Sequence, residues 1–137
     1  MDLKLTVSNP KTGKSVKKDL TGKEADELLG KDLGDTVSGD VLGFAGYEFK
    51  IMGGSDHAGF PMRKGLKGVE RKRIFTYRGV GFSGRSRHGK MEDGLRIKRM
   101  VFGQRIGPKI TQVNLVITKE GAAPLFVEKA EEAAQQQ

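Results

Sequence analysis

The sequence predicts a mainly β fold, a compact β-barrel of about six short strands with one or two short helices. Three observations carry this prediction. Short runs of alternating apolar and polar residues recur along the chain. Turn signals separate these runs, and 20 of the 137 residues are glycine. A chain of this length can bury one core, and we expect a single domain over residues 1–121.

The first predicted elements form a hairpin. Leu3, Leu5 and Val7 alternate with polar residues, which is the period-two pattern of a half-buried strand. A turn with proline and glycine follows over 9–13, and residues 15–20 supply a more polar return strand. The lysines of this return strand predict that it lies at an exposed edge of the sheet.

A short helix is expected next. Thr21 and Glu24 have the spacing of a capping box, and Gly30 is a C-terminal stop, so we predict a helix of about two turns. The connection over 32–43 is polar and punctuated by glycine. Its apolar residues are expected in the core: Val37, Val41 and Leu42.

The rest of the chain supplies further strands. Tyr47, Phe49 and Ile51 alternate with charged residues and predict a strand that leads into a shaped glycine loop over 53–65. Additional strands are predicted over 69–78, 95–102 and 110–118. The intervening segment 79–93 has no apolar period, so we expect a flexible basic loop, poorly ordered in isolation.

Other features of the composition limit the classes of protein to which the chain can belong. Cysteine is absent, which excludes a disulfide framework and a thiolate metal site, and we expect no metal and no other cofactor. The start of the chain has no signal-peptide core, and no apolar run is long enough to cross a membrane. We therefore expect a cytoplasmic protein, monomeric when free. Residues 122–137 are rich in Ala, Glu and Gln and are expected to be a frayed helix or a disordered tail.

The positive charge is concentrated in one block. The chain carries a net charge of +8, but residues 63–109 hold fifteen Lys or Arg against three acidic residues. The rest of the chain is therefore net negative. Such a concentration favours a polyanion as partner, with nucleic acid preferred over a solvated face that has no partner.

The composition of this block indicates how it would bind. We expect Phe75 and Tyr77 in the core, and Phe82 either in the core or stacked on a base. The block is therefore predicted to recognise the phosphates and the shape of folded RNA, and not to read the base sequence of single strands. The predicted RNA-binding side chains are Arg63, Lys64, Lys67, Arg71, Lys72, Arg73, Arg78, Arg85, Arg87, His88, Lys90, Arg96, Lys98 and Arg99.

Two enzyme motifs are weak. Ser55, Asp56 and His57 are the residue types of a hydrolase triad, but adjacent residues cannot adopt its geometry, and nothing supports a triad with His88. Asp56 is better interpreted as a turn former that binds nearby backbone N–H groups. The G-x-G-x-x-G match over 79–84 lacks the helix that would hold a pyrophosphate.

Seven residues of the segment 53–65 have a distinctive spacing: Gly53, Gly54, Asp56, Gly59, Phe60, Pro61 and Met62. They give the pattern Gly-Gly-x-Asp-x-x-Gly-Phe-Pro-Met, with basic residues and a glycine after it. This pattern closely resembles the signature of the eukaryotic-type small-subunit ribosomal protein six family. Residues 113–117, with Lys119 and Gly121, resemble the final core strand of the family. Phe60 and Met62 are expected to be packing anchors.

This resemblance implies a β-barrel that binds ribosomal RNA as a structural constituent of the small ribosomal subunit, beside neighbouring ribosomal proteins and without catalytic activity. Eukaryotic members carry a long basic C-terminal helix with a serine-rich regulatory segment. This chain ends in a short acidic tail and so resembles an archaeal member, to which regulation by phosphorylation does not carry over. Two alternatives stay open: a small hydrolase or nucleotide-binding enzyme using Asp56 and His57, and a translation factor that visits the ribosome transiently.

Overall fold

A computed structural model describes residues 2–121 and 125 of the chain. The described part is mainly β, as predicted. Its elements, in chain order, are β1 (Asp2–Ser8), β2 (Ser15–Thr21), α1 (Lys23–Asp26), β3 (Thr36–Ser38), a 3-10 turn (Asp40–Leu42), β4 (Glu48–Asp56), β5 (Arg71–Thr76), β6 (Ile97–Phe102) and β7 (Ile110–Lys119).

Five strands form one sheet in the order β2-β1-β7-β4-β3, and this sheet curls into a half-barrel. Strand β1 pairs with β7 in parallel, and the other neighbours are antiparallel. Strands β5 and β6 form a separate antiparallel pair, which we call the basic hairpin. It joins the rest of the molecule where Met62 pairs with Phe102.

The core residues of the sheet follow the alternation read from the sequence. Leu5 pairs with Val113 and Ile51 pairs with Leu115, and all four side chains are fully buried. Burial of each such side chain stabilises the fold by about 1.5–3 kcal/mol. The predicted hairpin is also confirmed, because β2 pairs with β1 and forms an edge of the sheet.

The predicted capping box is wrong. Thr21 is the last residue of β2, paired with Asp2, and the helix begins after Gly22 without a side-chain cap. Because Thr21 pairs with Asp2 in the sheet, its side chain does not cap the helix. The helix spans four residues, shorter than the two turns predicted, and Gly30 ends the following turns by donating its N–H to the Ile106 carbonyl at 3.0 Å.

The connection after the helix contains a strand that the sequence pattern did not reveal. Val37 is the centre of β3 and pairs with Phe49, and both are buried, as is Leu42. Val41, predicted in the core, is 40% exposed. Val41 and Leu42 are consecutive residues of a tight 3-10 turn, so they face different directions and only one of them reaches the core.

The glycine segment is only partly a loop. Residues 53–56 belong to β4 and pair with β7, with register shifts between Ile51 and Gly53 and between Ser55 and Asp56. A Cβ on Gly54 would lie 2.6 Å from the Gln112 carbonyl oxygen and 2.9 Å from Met62 Sδ. Glycine at this position therefore lets three chain segments pack together, which a prediction from loop-forming residues alone misses.

Two further predictions concern membrane-spanning segments and the C-terminal tail. Within residues 2–121, no helix is long and apolar enough to cross a membrane. The predicted tail over 122–137 lies outside the described residues except for Leu125, which is partly buried against the core.

Candidate nucleic-acid interface

Asp56 organises the junction between the sheet and the basic hairpin. Its side chain is fully buried, and Oδ1 accepts hydrogen bonds from the N–H groups of Ala58 and Phe60, each at 2.9 Å. Oδ2 accepts from Arg71 Nε at 2.5 Å. Burial raises the pKa of Asp56, but hydrogen bonds from Arg71 and the two backbone groups outweigh it and hold the pKa below its ordinary value. The predicted turn-forming role is confirmed.

Arg71 links the glycine segment to β5. Beside its bond to Asp56, its Nη2 lies 3.2 Å from His57 Nε2, and the guanidinium lies 5.1 Å from the centre of the Phe60 ring. The predicted RNA-binding residue Arg71 therefore has its Nε–H bound to a buried carboxylate. Both Asp56 oxygens are also engaged by groups other than His57, so these residues do not form the hydrolase arrangement.

The two predicted packing anchors behave differently. Met62 is buried in the core, as expected, whereas Phe60 is only half-buried and lies under Arg71. The next residue, Arg63, is half-buried as well, and its Nη1 donates to Thr76 Oγ1 at 2.7 Å. The Arg63 side chain thus ties the glycine segment to the loop end of strand β5.

The other predicted RNA-binding side chains are exposed. None of these twelve forms an ion pair with a carboxylate among residues 2–121. We call them the exposed cations: Lys64, Lys67, Lys72, Arg73, Arg78, Arg85, Arg87, His88, Lys90, Arg96, Lys98 and Arg99. Their charges are therefore available to a polyanion in solvent.

The loop between β5 and β6 consists of two small bridged turns. Gly79 pairs with Phe82, and Arg85 pairs with Met91. The second turn is closed by a 2.8 Å hydrogen bond from the Ser86 N–H to the Lys90 carbonyl, and it carries four of the exposed cations, Arg85, Arg87, His88 and Lys90. No helix follows the G-x-G-x-x-G match, so the dinucleotide interpretation fails for this segment. Phe82 was predicted either in the core or stacked on a base, and the structure shows that it is buried.

The prediction for Phe75 and Tyr77 is wrong. Phe75 is 66% exposed and Tyr77 is 50% exposed. The basic hairpin is separate from the five-stranded sheet, so alternation along β5 does not place these rings against the core. Instead, Lys98 Nζ lies 5.0 Å from the Phe75 ring centre, and the Arg96 guanidinium lies 4.6 Å from that of Tyr77.

Two other features were missed in the sequence. His57, Glu70, Arg71 and Lys109 line a cleft at the foot of the basic hairpin. Arg105 donates to Asp32 at 2.9 Å, and these hydrogen bonds lower the pKa of Asp32 and raise that of Arg105. The density of positive charge in the sequence could have indicated Lys109. The pair of Arg105 and Asp32 leaves no local signal in the sequence, because the two residues are 73 positions apart.

No group of three potential metal ligands occurs in the part of the chain that the structure describes.

Taken together, a curled sheet, a basic hairpin and twelve cations without carboxylate partners among residues 2–121 define a class: a small β protein with an organised basic surface, the kind of surface that suits a polyanion. The model of the family described as ribosomal protein S6e matches residues 3–128. The chain belongs to this family.

Named relatives agree with this assignment. The chain is 45% identical over 124 residues to the small ribosomal subunit protein eS6 of Methanoculleus marisnigri, covering 90% of this chain and 89% of that protein. It is 40% identical to the eS6 protein of Archaeoglobus fulgidus, covering 91% and 93%. It is 42% identical to that of Nanoarchaeum equitans, covering 89% and 85%.

Proposed function

We propose that the exposed cations bind ribosomal RNA, in a chain that is a structural constituent of the small ribosomal subunit. The relatives are named small ribosomal subunit proteins, which gives the chain its place on the ribosome, in the cytoplasm. Its partners there are ribosomal RNA and neighbouring ribosomal proteins. The observation that supports the RNA contacts is the set of twelve exposed cations without carboxylate partners among the described residues.

The mechanism is electrostatic positioning. Arg and Lys side chains neutralise phosphates and release condensed counterions, and guanidinium groups bind two phosphate oxygens at once. Asp56 and Arg71 hold the basic hairpin against the sheet, so the cations are presented at fixed relative positions. This function requires no catalytic group, and we propose that the chain has no enzymatic activity of its own.

A salt titration with a matched pair of variants tests the proposal. If about eight phosphate contacts form, log affinity for a small-subunit RNA fragment falls with log salt at a slope between about −6 and −7. Changing Arg85, Arg87 and Lys90 together to Ala removes three contacts, so the slope becomes shallower by about 2 to 3. Folding should be nearly unchanged, since all three are exposed.

The control removes the same charge from the five-stranded sheet. Lys4, Lys17 and Lys50 are exposed and lie on β1, β2 and β4. Their triple Ala variant should keep the wild-type slope. Equal slopes for the wild type and the loop variant, or a nearly salt-independent affinity of the wild type, would refute the proposed contacts. Loss of the protein from subunits after a high-salt wash would instead indicate a transient translation factor.

A further inference from the structure

The two faces of the basic hairpin differ in what covers them. Side chains alternate between the faces along each strand. On one face, Thr76 accepts the hydrogen bond from Arg63, and the Arg99 guanidinium lies 5.6 Å from the ring centre of Phe82. Val101, on the same face, is fully buried. The glycine segment and the β5–β6 loop therefore cover the part of this face around Thr76 and Val101.

On the opposite face, Arg71 and Phe102 at the foot of the hairpin are packed against the rest of the molecule, but the part of the face beyond them is uncovered, and we call this part the open face. Its register places Phe75 beside Lys98 and Arg73 beside Met100. The residues of the open face are Arg73, Phe75, Tyr77, Arg96, Lys98 and Met100. All six are exposed, although three of them are large apolar or aromatic side chains. Such a surface on a small protein marks an interaction site.

We propose that the open face binds unpaired RNA bases, which stack on Phe75 and Tyr77 while Arg73, Arg96 and Lys98 bind the adjoining phosphates. This inference rests on the proposed function and specifies the kind of RNA that this face takes. It differs from the sequence-based prediction, which confined the basic block to recognition of phosphates and shape.

The chemistry of the open face favours nucleic acid over a protein partner. Each exposed ring has a cation within 5.0 Å of its centre, and neither β5 nor β6 contains an acidic residue. An apolar partner would take these cations out of water without compensation. A nucleotide supplies both groups that the surface needs, a flat base for the ring and a phosphate for the cation.

The exposure of the rings favours unpaired over paired bases. Within a duplex the flat face of each base is covered by its neighbours, and only phosphates, sugars and base edges are accessible. Bases in bulges and loops are free to stack on aromatic side chains. Phe75 and Tyr77 are two residues apart, about 7 Å along an extended strand, so each ring can accept its own nucleotide.

The experiment compares a fully paired RNA duplex with the same duplex carrying a bulge of unpaired adenosines. The wild type should bind the bulged RNA more tightly. Phe75→Ala and Tyr77→Ala should each weaken binding of the bulged RNA by roughly 5- to 150-fold and leave binding of the paired duplex nearly unchanged. Phe75→Leu, which keeps apolar area without a π face, should resemble Phe75→Ala.

A spectroscopic measurement reports the contact directly. The chain has no Trp and two Tyr, of which Tyr47 is buried and Tyr77 is exposed. The bulged RNA should quench the tyrosine fluorescence of the wild type. In Tyr77→Phe the quenching should disappear while the affinity is retained, because the stacking ring remains. Met52→Ala, which removes a side chain that is 57% exposed on the five-stranded sheet, is the control and should bind both RNAs as the wild type does.

Three results separate this inference from the proposed function. Equal affinity of the wild type for both RNAs, with a steep salt dependence, would overturn the stacking inference and leave the proposed function standing. The absence of RNA binding at low salt would overturn both. Protection of Tyr77 from chemical modification on assembled subunits, without any effect of Phe75→Ala on RNA binding, would assign the open face to a neighbouring protein and overturn the inference.

Discussion

The five-stranded sheet and the basic hairpin use the same alternating geometry for opposite purposes. In β1, and in β7 from Val113 to Ile117, every second residue is apolar and buried. In β5 the alternating positions carry Arg73, Phe75 and then Tyr77 just beyond the strand, and all three are exposed. A pleated strand only sorts side chains onto two faces. Whether a face becomes core or binding surface depends on whether another layer packs against it.

The junction between these two regions is therefore the place where the comparison can be tested. The largest effect is expected for Asp56→Ala. The change leaves the Arg71 guanidinium and the N–H groups of Ala58 and Phe60 without their acceptor. We expect a loss of about 3 kcal/mol in the free energy of unfolding, measured by urea denaturation.

Hydrogen exchange would show which region responds to Asp56→Ala. Amides of β5 and β6 should lose protection before those of β1 and β7, since the hairpin depends on this junction while the sheet has its own core. Asp93→Ala, which changes an exposed loop carboxylate, is the control and should have little effect. A uniform loss of protection would show that the two regions form one cooperative unit.

A smaller loss is expected for Gly54→Ala, which probes the packing on the sheet side of the junction. The added methyl group would approach the Gln112 carbonyl oxygen and Met62 Sδ, so β4 has to shift. We expect about 1–3 kcal/mol of destabilisation by overpacking, measured by the urea midpoint.

Gly53→Ala is the matched control for this change. The nearest atom to a Cβ at Gly53 is Asn114 Nδ2 at 3.9 Å, which is an ordinary contact. This variant should therefore be close to the wild type in stability. Equal destabilisation by the two substitutions would contradict the close-packing explanation for Gly54.

The smallest effect is expected from pH. The pKa of Asp56 is lower in the folded chain than its ordinary value of 3.8. Its contribution to stability is therefore fully present well above pH 3.8 and is lost as the pH falls through the lower, folded-state pKa. Urea midpoints measured down to acidic pH should fall in this window. In Asp56→Asn the fall should be shallower, with Asp32, whose pKa is also lowered by hydrogen bonding to Arg105, still contributing. Identical pH profiles would exclude the Asp56 linkage.

The sequence predicted the parts of the fold that depend on local pattern. The alternation of Leu3, Leu5 and Val7 and that of Val113, Leu115 and Ile117 correspond to buried sides of β1 and β7. It could not reveal that β1 and β7 are parallel neighbours, because pairing partners far apart in the chain leave no local signal. Thr21 shows the same limit, since its pairing with Asp2 overrode the capping pattern.

The candidate site was predicted by composition and not by geometry. Charge density located the exposed cations correctly on the surface, but it could not separate them from Arg63 and Arg71, which bond inward to Thr76 and Asp56. It also assigned Phe75 and Tyr77 to the core. The alternation of basic and aromatic residues along β5 was visible, but its interpretation required knowing that no second layer covers that face.

The position of β7 has a consequence for how the chain is made. This last strand lies between β1 and β4, so the sheet cannot be completed until the ribosome has synthesised almost every residue of the described part. The basic hairpin and its loop precede β7 in the chain. During translation, the cations therefore leave the exit tunnel before the core that holds them in place exists. Such late, long-range closure slows folding, and it leaves the nascent segment exposed to the abundant RNA around it.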